Sequence, residues 1–207
     1  FGYGQRTGLG LPGESRGLLP KPADWSGTSI ATIPIGQGVS VNVMQVASVY
    51  ATVANGGVRV TPTVVKAVAD ASGHLVPAAK PASRRVISPE VAASLRMMLE
   101  AVVSAEGTAP LAAVPGYRIA GKTGTAQRVV GGKYAPGNYT SSFIGFAPAD
   151  APRLVAAVVL QGTGHGYPYY GGSTAGPVFK QVMSFALGGL KIPPTGTKPP
   201  VVKLTTG

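Results

Sequence analysis

The 207-residue chain contains no cysteine, which excludes a disulfide framework and any thiolate metal site. Its two histidines, His74 and His165, stand far apart in sequence and do not match the ligand spacing of a zinc site. Both therefore read as surface or loop residues. Acidic residues number only seven, and most have loop or surface-helix explanations. A glycosidase needs two carboxylates to converge, and nothing in their spacing suggests it. No apolar run reaches the roughly 18 residues of a membrane-spanning helix, and nothing resembles a signal peptide. Phe1 is an improbable natural start, so the residues are expected to be a piece of a longer chain.

Basic residues are plentiful by comparison: 18 Lys and Arg against the seven acids give a net charge of +11. They are spread along the chain, with Arg84-Arg85 the only adjacent pair. No recognition helix, zinc finger or basic groove with interleaved aromatics is present, which disfavours a nucleic-acid module. A basic surface serves solubility, or faces an anionic membrane, a cell-wall polymer or an acidic substrate. Glycine (30) and proline (19) are abundant but follow no Gly-X-Y period, so collagen is excluded. With 44% hydrophobic residues, the chain can build one substantial core in a single domain.

Residues 1–38 are glycine-rich connected turns, with Trp25 an anchor for its loop. A helix is expected from about Val43 to Ala54, capped by Asn42 with Gln45 at the reciprocal position and stopped by Asn55-Gly-Gly57. Residues 58–69 are strand-like, with Pro62 as an edge or break. A second helix starts at Ser88-Pro89 and runs to about Ser104, with Val91, Leu95, Met98, Leu99 and Val102 as its apolar face. Strands follow at 117–127, 139–147 and 153–160. Arg128–Asn138 is expected as a flap-like connection, and the last two strands as an antiparallel hairpin. Gly162–Gly172 is loop. A final helix from about Ala175 to Leu187 puts Val178, Val182, Met183 and Ala186 on one side. Residues from 191 read as a flexible tail. The expected fold class is α+β, one layer of helices against an antiparallel sheet.

The stretch most suggestive of chemistry is Tyr117–Gln127, ending Lys122-Thr-Gly-Thr-Ala-Gln127. Strand alternation sends Lys122 and Gly124 one way and Thr123 and Thr125 the other. On an edge strand the free backbone groups could pair an extended substrate, with Gly124 leaving the approach open. The ammonium and the two hydroxyls would hold a carboxylate or a developing oxyanion. Lys122 could also support proton transfer. A phosphate loop fits less well, because the nearest preceding glycine, Gly116, lies five rather than four residues before Gly121. Serine, histidine and aspartate are all present, but no Gly-x-Ser-x-Gly elbow accompanies them. These residues describe an anion and peptide site without a nucleophile.

Lys122-Thr-Gly-Thr-Ala-Gln127 resembles the third signature of penicillin-binding proteins and serine β-lactamases, in its class B high-molecular-weight transpeptidase form. Thr7-Gly-Leu-Gly-Leu-Pro-Gly-Glu14, Ile35-Gly-Gln-Gly38 with Tyr50–Gly57, Gly107-Thr108, and Gly171–Phe179 resemble further segments of that family, in order. Asn42-Val-Met-Gln45 stands where the family usually reads Thr-Pro-Leu-Gln. The likeness covers about residues 1–190 and fits best the cell-division branch, with actinobacterial wording. The family's nucleophile motif, Ser-x-x-Lys, does not occur in this sequence. Ser40-Val-Asn42 matches the second motif, Ser-x-Asn, literally but comes too late in the order. The chain is thus identified as the C-terminal part of a transpeptidase domain, with residues 191–207 as tail.

The resemblance implies a membrane-anchored, extracytoplasmic serine D,D-transpeptidase without cofactor or metal. It would cross-link peptidoglycan stem peptides at the septum and be acylated by β-lactams. It implies that Lys122, Thr123 and Thr125 organise the site, and that Lys122, Thr123, Gly124 and Thr125 bind substrate. Implied partners are a companion N-terminal fragment carrying Ser-x-x-Lys, stem peptides and their lipid-linked precursor, and division machinery including a membrane glycosyltransferase. Alone, the chain is expected to be inactive. The alternatives are a serine β-lactamase, a β-lactam sensor domain and a non-catalytic pseudoenzyme.

Overall fold

Asn42 starts the first long helix as its side chain allows: Oδ1 accepts the Gln45 N–H, and Gln45 Oε1 accepts the Asn42 N–H, both at 2.8 Å. The structure, a computed structural model, describes residues 1–164 and 166–202. His165 and residues 203–207 of the expected tail lie outside the described residues. The chain runs α1 (Ser29–Thr32), α2 (Val43–Ala54), β1 (Val58–Val60), β2 (Ala67–Ala69), β3 (Leu75–Pro77), β4 (Ser83–Arg85), α3 (Pro89–Ala101), β5 (Ala120–Val130), β6 (Lys133–Ala147), β7 (Leu154–Gly164) and α4 (Gly171–Gly189). Buried Gln45 also ties the glycine-rich N-terminal turns to α2, donating to the carbonyls of Gln5 and Arg16, each at 2.8 Å.

The central sheet is antiparallel in the order β5-β6-β7, which leaves β5 at an edge. Helices cover both faces, not the one expected. On one side Phe143 meets Phe179 of α4 edge-on, at 4.7 Å between ring centroids, within a core that includes Val114, Met183 and Leu187. On the other, Ala120 and Phe146 pack with Val53 of α2 and with Leu95 and Leu99 of α3. The reason lies in the strands. Their two faces are both apolar near Ala120–Phe146, so each must bury against something.

Several boundaries and faces differ from expectation. The Arg128–Asn138 flap is instead a continuation of the β5–β6 ribbon. Gly131 and Gly132 both take positive φ (59° and 78°), as a two-residue hairpin turn requires, and Val130 pairs Lys133 across it. α3 ends at Ala101, and within its expected apolar face Val91 and Met98 stay exposed. α4 begins four residues early, and its buried stripe is Ala175, Phe179, Met183 and Leu187, whereas Val178 and Val182 face outward. Its first glycines allow the early start. A Cβ on Gly171 would collide with the Ser142 and Gly124 carbonyl oxygens, and one on Gly172 with that of Thr108. The helix N-terminus thus sits directly against β5.

Among the described residues after α4, 190–202, there is no helix or strand, yet Ile192 and Thr197 are docked. Ile192 is buried and its carbonyl accepts the Tyr117 hydroxyl at 2.7 Å. Thr197 donates to Asp150 and receives Arg118 Nη1 at 3.0 Å, while Arg118 pairs bidentately with buried Glu100 at 2.8 Å.

Candidate functional site

β5 places Lys122–Thr125 on the free edge of the sheet. Each residue is held in register by β6, Lys122 opposite Ile144, Thr123 opposite Phe143, and Thr125 opposite Ser141. Alternation sends Thr123 and Thr125 to the α4 side, as expected, and Lys122 and Gly124 to the other. The Lys122 side chain then curls back over the edge: Nζ donates to Thr123 Oγ1 at 2.9 Å and to the Thr123 carbonyl at 3.1 Å. The cation therefore meets the Thr123 hydroxyl although alternation starts the two side chains on opposite faces. Lys122 is exposed along its length, but enough protein surrounds the ammonium that desolvation lowers its pKa.

The two threonines line an open cleft of about 480 Å³. Its other walls are Thr108, Pro110 and Leu111 on one side, and Tyr170 with the first turn of α4 on the other. Both hydroxyls are oriented by neighbours. Thr123 Oγ1 lies 3.3 Å from Thr108 Oγ1, and Thr125 Oγ1 accepts the Gly171 N–H at 3.1 Å. The N-terminus of α4 in the cleft wall and the Lys122 ammonium on the Thr123 hydroxyl give the cleft positive character, and the hydroxyls still have protons to donate. The arrangement suits a carboxylate or oxyanion at the end of an extended ligand lying along the strand edge. Gly124 leaves space on the sheet side, where a Cβ would strike the Ser142 hydroxyl.

The structure brings together all four residues read from the sequence, Lys122, Thr123, Gly124 and Thr125. It adds three tyrosines to which sequence reasoning assigned no part in the site, Tyr139 at the start of an expected strand and Tyr169 and Tyr170 in an expected loop. Tyr139 stacks on Tyr169 at 4.3 Å, and Tyr169 lies 4.5 Å from Tyr170 at a tilt, forming an aromatic ledge beside the cleft. The Ser141 hydroxyl, wholly buried, bonds the Tyr169 carbonyl and Thr163 Oγ1, which fixes the loop that carries the ledge. The signal available was Tyr169-Tyr170 immediately before Gly171-Gly172, a pair of aromatics beside glycines that admit close backbone approach.

A family model described as the penicillin binding protein transpeptidase domain matches residues 1–184. Penicillin-binding protein PbpB of Mycolicibacterium smegmatis is 46% identical over 195 residues, 90% of this chain and 30% of the relative. Stage V sporulation protein D of Bacillus subtilis is 44% identical over 202 residues, 96% of this chain and 30% of the relative. Among solved structures, penicillin binding protein 3 from Mycobacterium tuberculosis complexed with aztreonam superposes with a TM-score of 0.88 at 40% identity. That match covers 99% of this chain and 47% of the other. The ampicillin complex of the same protein gives a TM-score of 0.86 at 38% identity. The chain thus spans about 30% of the length of these curated relatives.

Proposed function

The chain belongs to the penicillin-binding protein transpeptidase family, and on that premise we propose that it is the substrate-holding wall of a septal serine D,D-transpeptidase. The observation that carries this reading is the Lys122 ammonium on the Thr123 hydroxyl at an open strand edge, where Thr123 and Thr125 line one cleft. Lys122 and Thr123 bind the terminal carboxylate of a stem peptide. Thr125 gives its hydroxyl to that carboxylate and its backbone N–H to the oxyanion, and Gly124 leaves room for the donor along the strand. A serine from a Ser-x-x-Lys segment outside these residues attacks the penultimate D-Ala carbonyl and releases D-Ala. The acyl group then passes to an amine of a second stem, regenerating the serine. β-Lactams acylate the same serine. The aztreonam and ampicillin complexes of the similar Mycobacterium tuberculosis protein support that part of the reading.

In this proposal residues 1–190 are the C-terminal part of the transpeptidase domain, and a companion N-terminal part carries the nucleophile and the membrane anchor. Among the described residues no helix is long and apolar enough to cross a membrane. The domain would work on the extracytoplasmic side on stem peptides of the lipid-linked precursor, beside a membrane glycosyltransferase of the division machinery. Labelling with fluorescent penicillin tests the reading. The intact protein is expected to form a stable covalent adduct, and the 207-residue chain alone none. Lys122→Ala in the intact protein is expected to slow acylation at least ~10-fold, about 1.4 kcal/mol. Stoichiometric labelling of the isolated chain would overturn the placement of the nucleophile, and unchanged acylation would remove Lys122 from its role. Rapid deacylation would mean a β-lactamase instead.

A further inference from the structure

Residues 58–85 form a ribbon that the catalytic reading does not use. β1 pairs β4 and β2 pairs β3, both antiparallel, so the segment runs out and back as two nested pairs joined through the Thr61 N–H to Ala82 carbonyl bond. β1 packs on α2, but β2 and β3 touch no other helix or strand among the described residues. A lone two-stranded hairpin is marginal in water. This one is also apolar where it is bare: Val64 is 71% exposed, Val68 52% and Leu75 77%.

Its two edges are unequal. The Asp70 N–H bonds the His74 carbonyl, and the Ala78 N–H bonds the Lys66 carbonyl. Residues 66/78, 68/76 and 70/74 are therefore the hydrogen-bonded pairs, and the N–H and C=O groups of Ala67 and Ala69 point away from β3. The outer edge of β3 carries Pro77, which has no N–H to offer and so blocks strand addition. The β2 edge has no such block. Charge narrows the partner further. The segment holds Arg59, Lys66, Lys80, Arg84 and Arg85 against one acid, Asp70, whose Oδ1 is already taken by the Ser72 and His74 N–H groups. Arg59 and Arg84 stand directly opposite each other in register, and no carboxylate among the described residues pairs with either. Like charges so placed repel unless an anion lies beside them.

We infer that the 58–85 ribbon is a docking arm for an acidic, extended segment of a partner protein, which adds as a strand along the outer edge of β2. The free alternating amides favour a peptide over a lipid or a polymer, because only a strand matches their spacing. The probe is an acetylated, amidated heptapeptide alternating Glu and Val, titrated into the intact protein. Three comparisons accompany it: the Lys–Val counterpart, the Glu–Val peptide N-methylated on its edge-facing residues, and vesicles of phosphatidylglycerol. The acidic peptide is expected to bind saturably, more weakly as salt rises, and to slow amide exchange at Ala67 and Ala69. The Lys–Val and N-methylated peptides, and the variants Lys66→Glu and Arg84→Glu, are each expected to weaken binding at least tenfold. Arg84→Glu should leave penicillin labelling unchanged, which separates this inference from the catalytic reading. Absence of saturable binding, equal binding of the N-methylated peptide, or binding of vesicles in place of the peptide overturns the proposal. Because the N-methylated probe alters the ligand alone, that comparison holds even if a variant unfolds the hairpin.

Discussion

At the scale of single residues, the site depends on protons. Desolvation disfavours charged Lys122 and lowers its pKa below the ordinary lysine value of 10.5. Its folded pKa thus lies below its unfolded one, so the cost of burying the charge weighs on stability at neutral pH and is relieved as pH rises through that window. For binding the sign is opposite. Attraction for a carboxylate is present while the ammonium is charged and is lost as pH climbs through the lowered value. The acylation rate of the intact protein by penicillin is expected to fall on an alkaline limb with a midpoint below 10.5, and Lys122→Ala should flatten that limb. Thr125 allows a sharper test, since its hydroxyl accepts from Gly171 while keeping a proton to donate. Thr125→Ser should retain acylation, and Thr125→Val should slow it by about tenfold, roughly 1.4 kcal/mol. Neither change touches the backbone N–H assigned to the oxyanion.

At the scale of elements, α4 is the part that both builds the core and walls the cleft. Met183, 1% exposed, lies in the core with Phe143 and Phe179, while the adjacent Val182 is 48% exposed. Met183→Ala is therefore expected to cost about 2–5 kcal/mol by transfer and cavity terms. Val182→Ala should change stability by less than about 0.5 kcal/mol. Denaturant midpoints of the intact protein distinguish them; the sequence set both residues on one apolar side, and comparable losses would return Val182 to it.

At the scale of the molecule, the segment with Thr195 and Thr197 closes on the domain through Asp150. Burial alone raises the pKa of this carboxyl, but the hydroxyls of Thr195 and Thr197, its own backbone and Arg118 outweigh it, and the net direction is down. A depressed carboxyl contributes stability that is present above its unfolded pKa and lost as pH falls through the folded value. Thermal melts across pH 2–7, on the order of the carboxyl range, should show a loss on acidification that is smaller in Asp150→Asn, since Glu100 keeps its pair with Arg118. Thr197→Val should lower the midpoint at neutral pH. A second consequence concerns the outer side of α3, where Met97, Met98 and Val91 are exposed among the described residues. The isolated 207-residue chain is expected to bind a hydrophobic dye that the intact protein does not, and a cooperative melt without dye binding would contradict that.

Local chemistry was legible wherever it acts within a few residues. The Asn42/Gln45 capping box, the Ser88 N-cap, the break at Pro62 and the strand alternation of Lys122–Thr125 were all readable, because neighbours along the chain set them. The face that α4 buries was legible only in part. Met183 stood on the expected side and is buried, but Val178 and Val182 are as apolar as Phe179, and what decides between them is where Phe143 stands on the preceding strand β6. The aromatic ledge, the orientation of both site hydroxyls and the docking of residues 192–197 were hidden for the same reason, since each joins groups far apart in sequence. By itself the sequence determined that a cation, two hydroxyls and a glycine share one strand, without a serine placed to use them. Only the tertiary structure decided that the strand lies at an open edge, and that its ammonium bends back to the Thr123 hydroxyl beside a helix N-terminus. The physical reason is that strand alternation separates Lys122 from Thr123, and only an unpaired edge leaves the path by which the lysine returns.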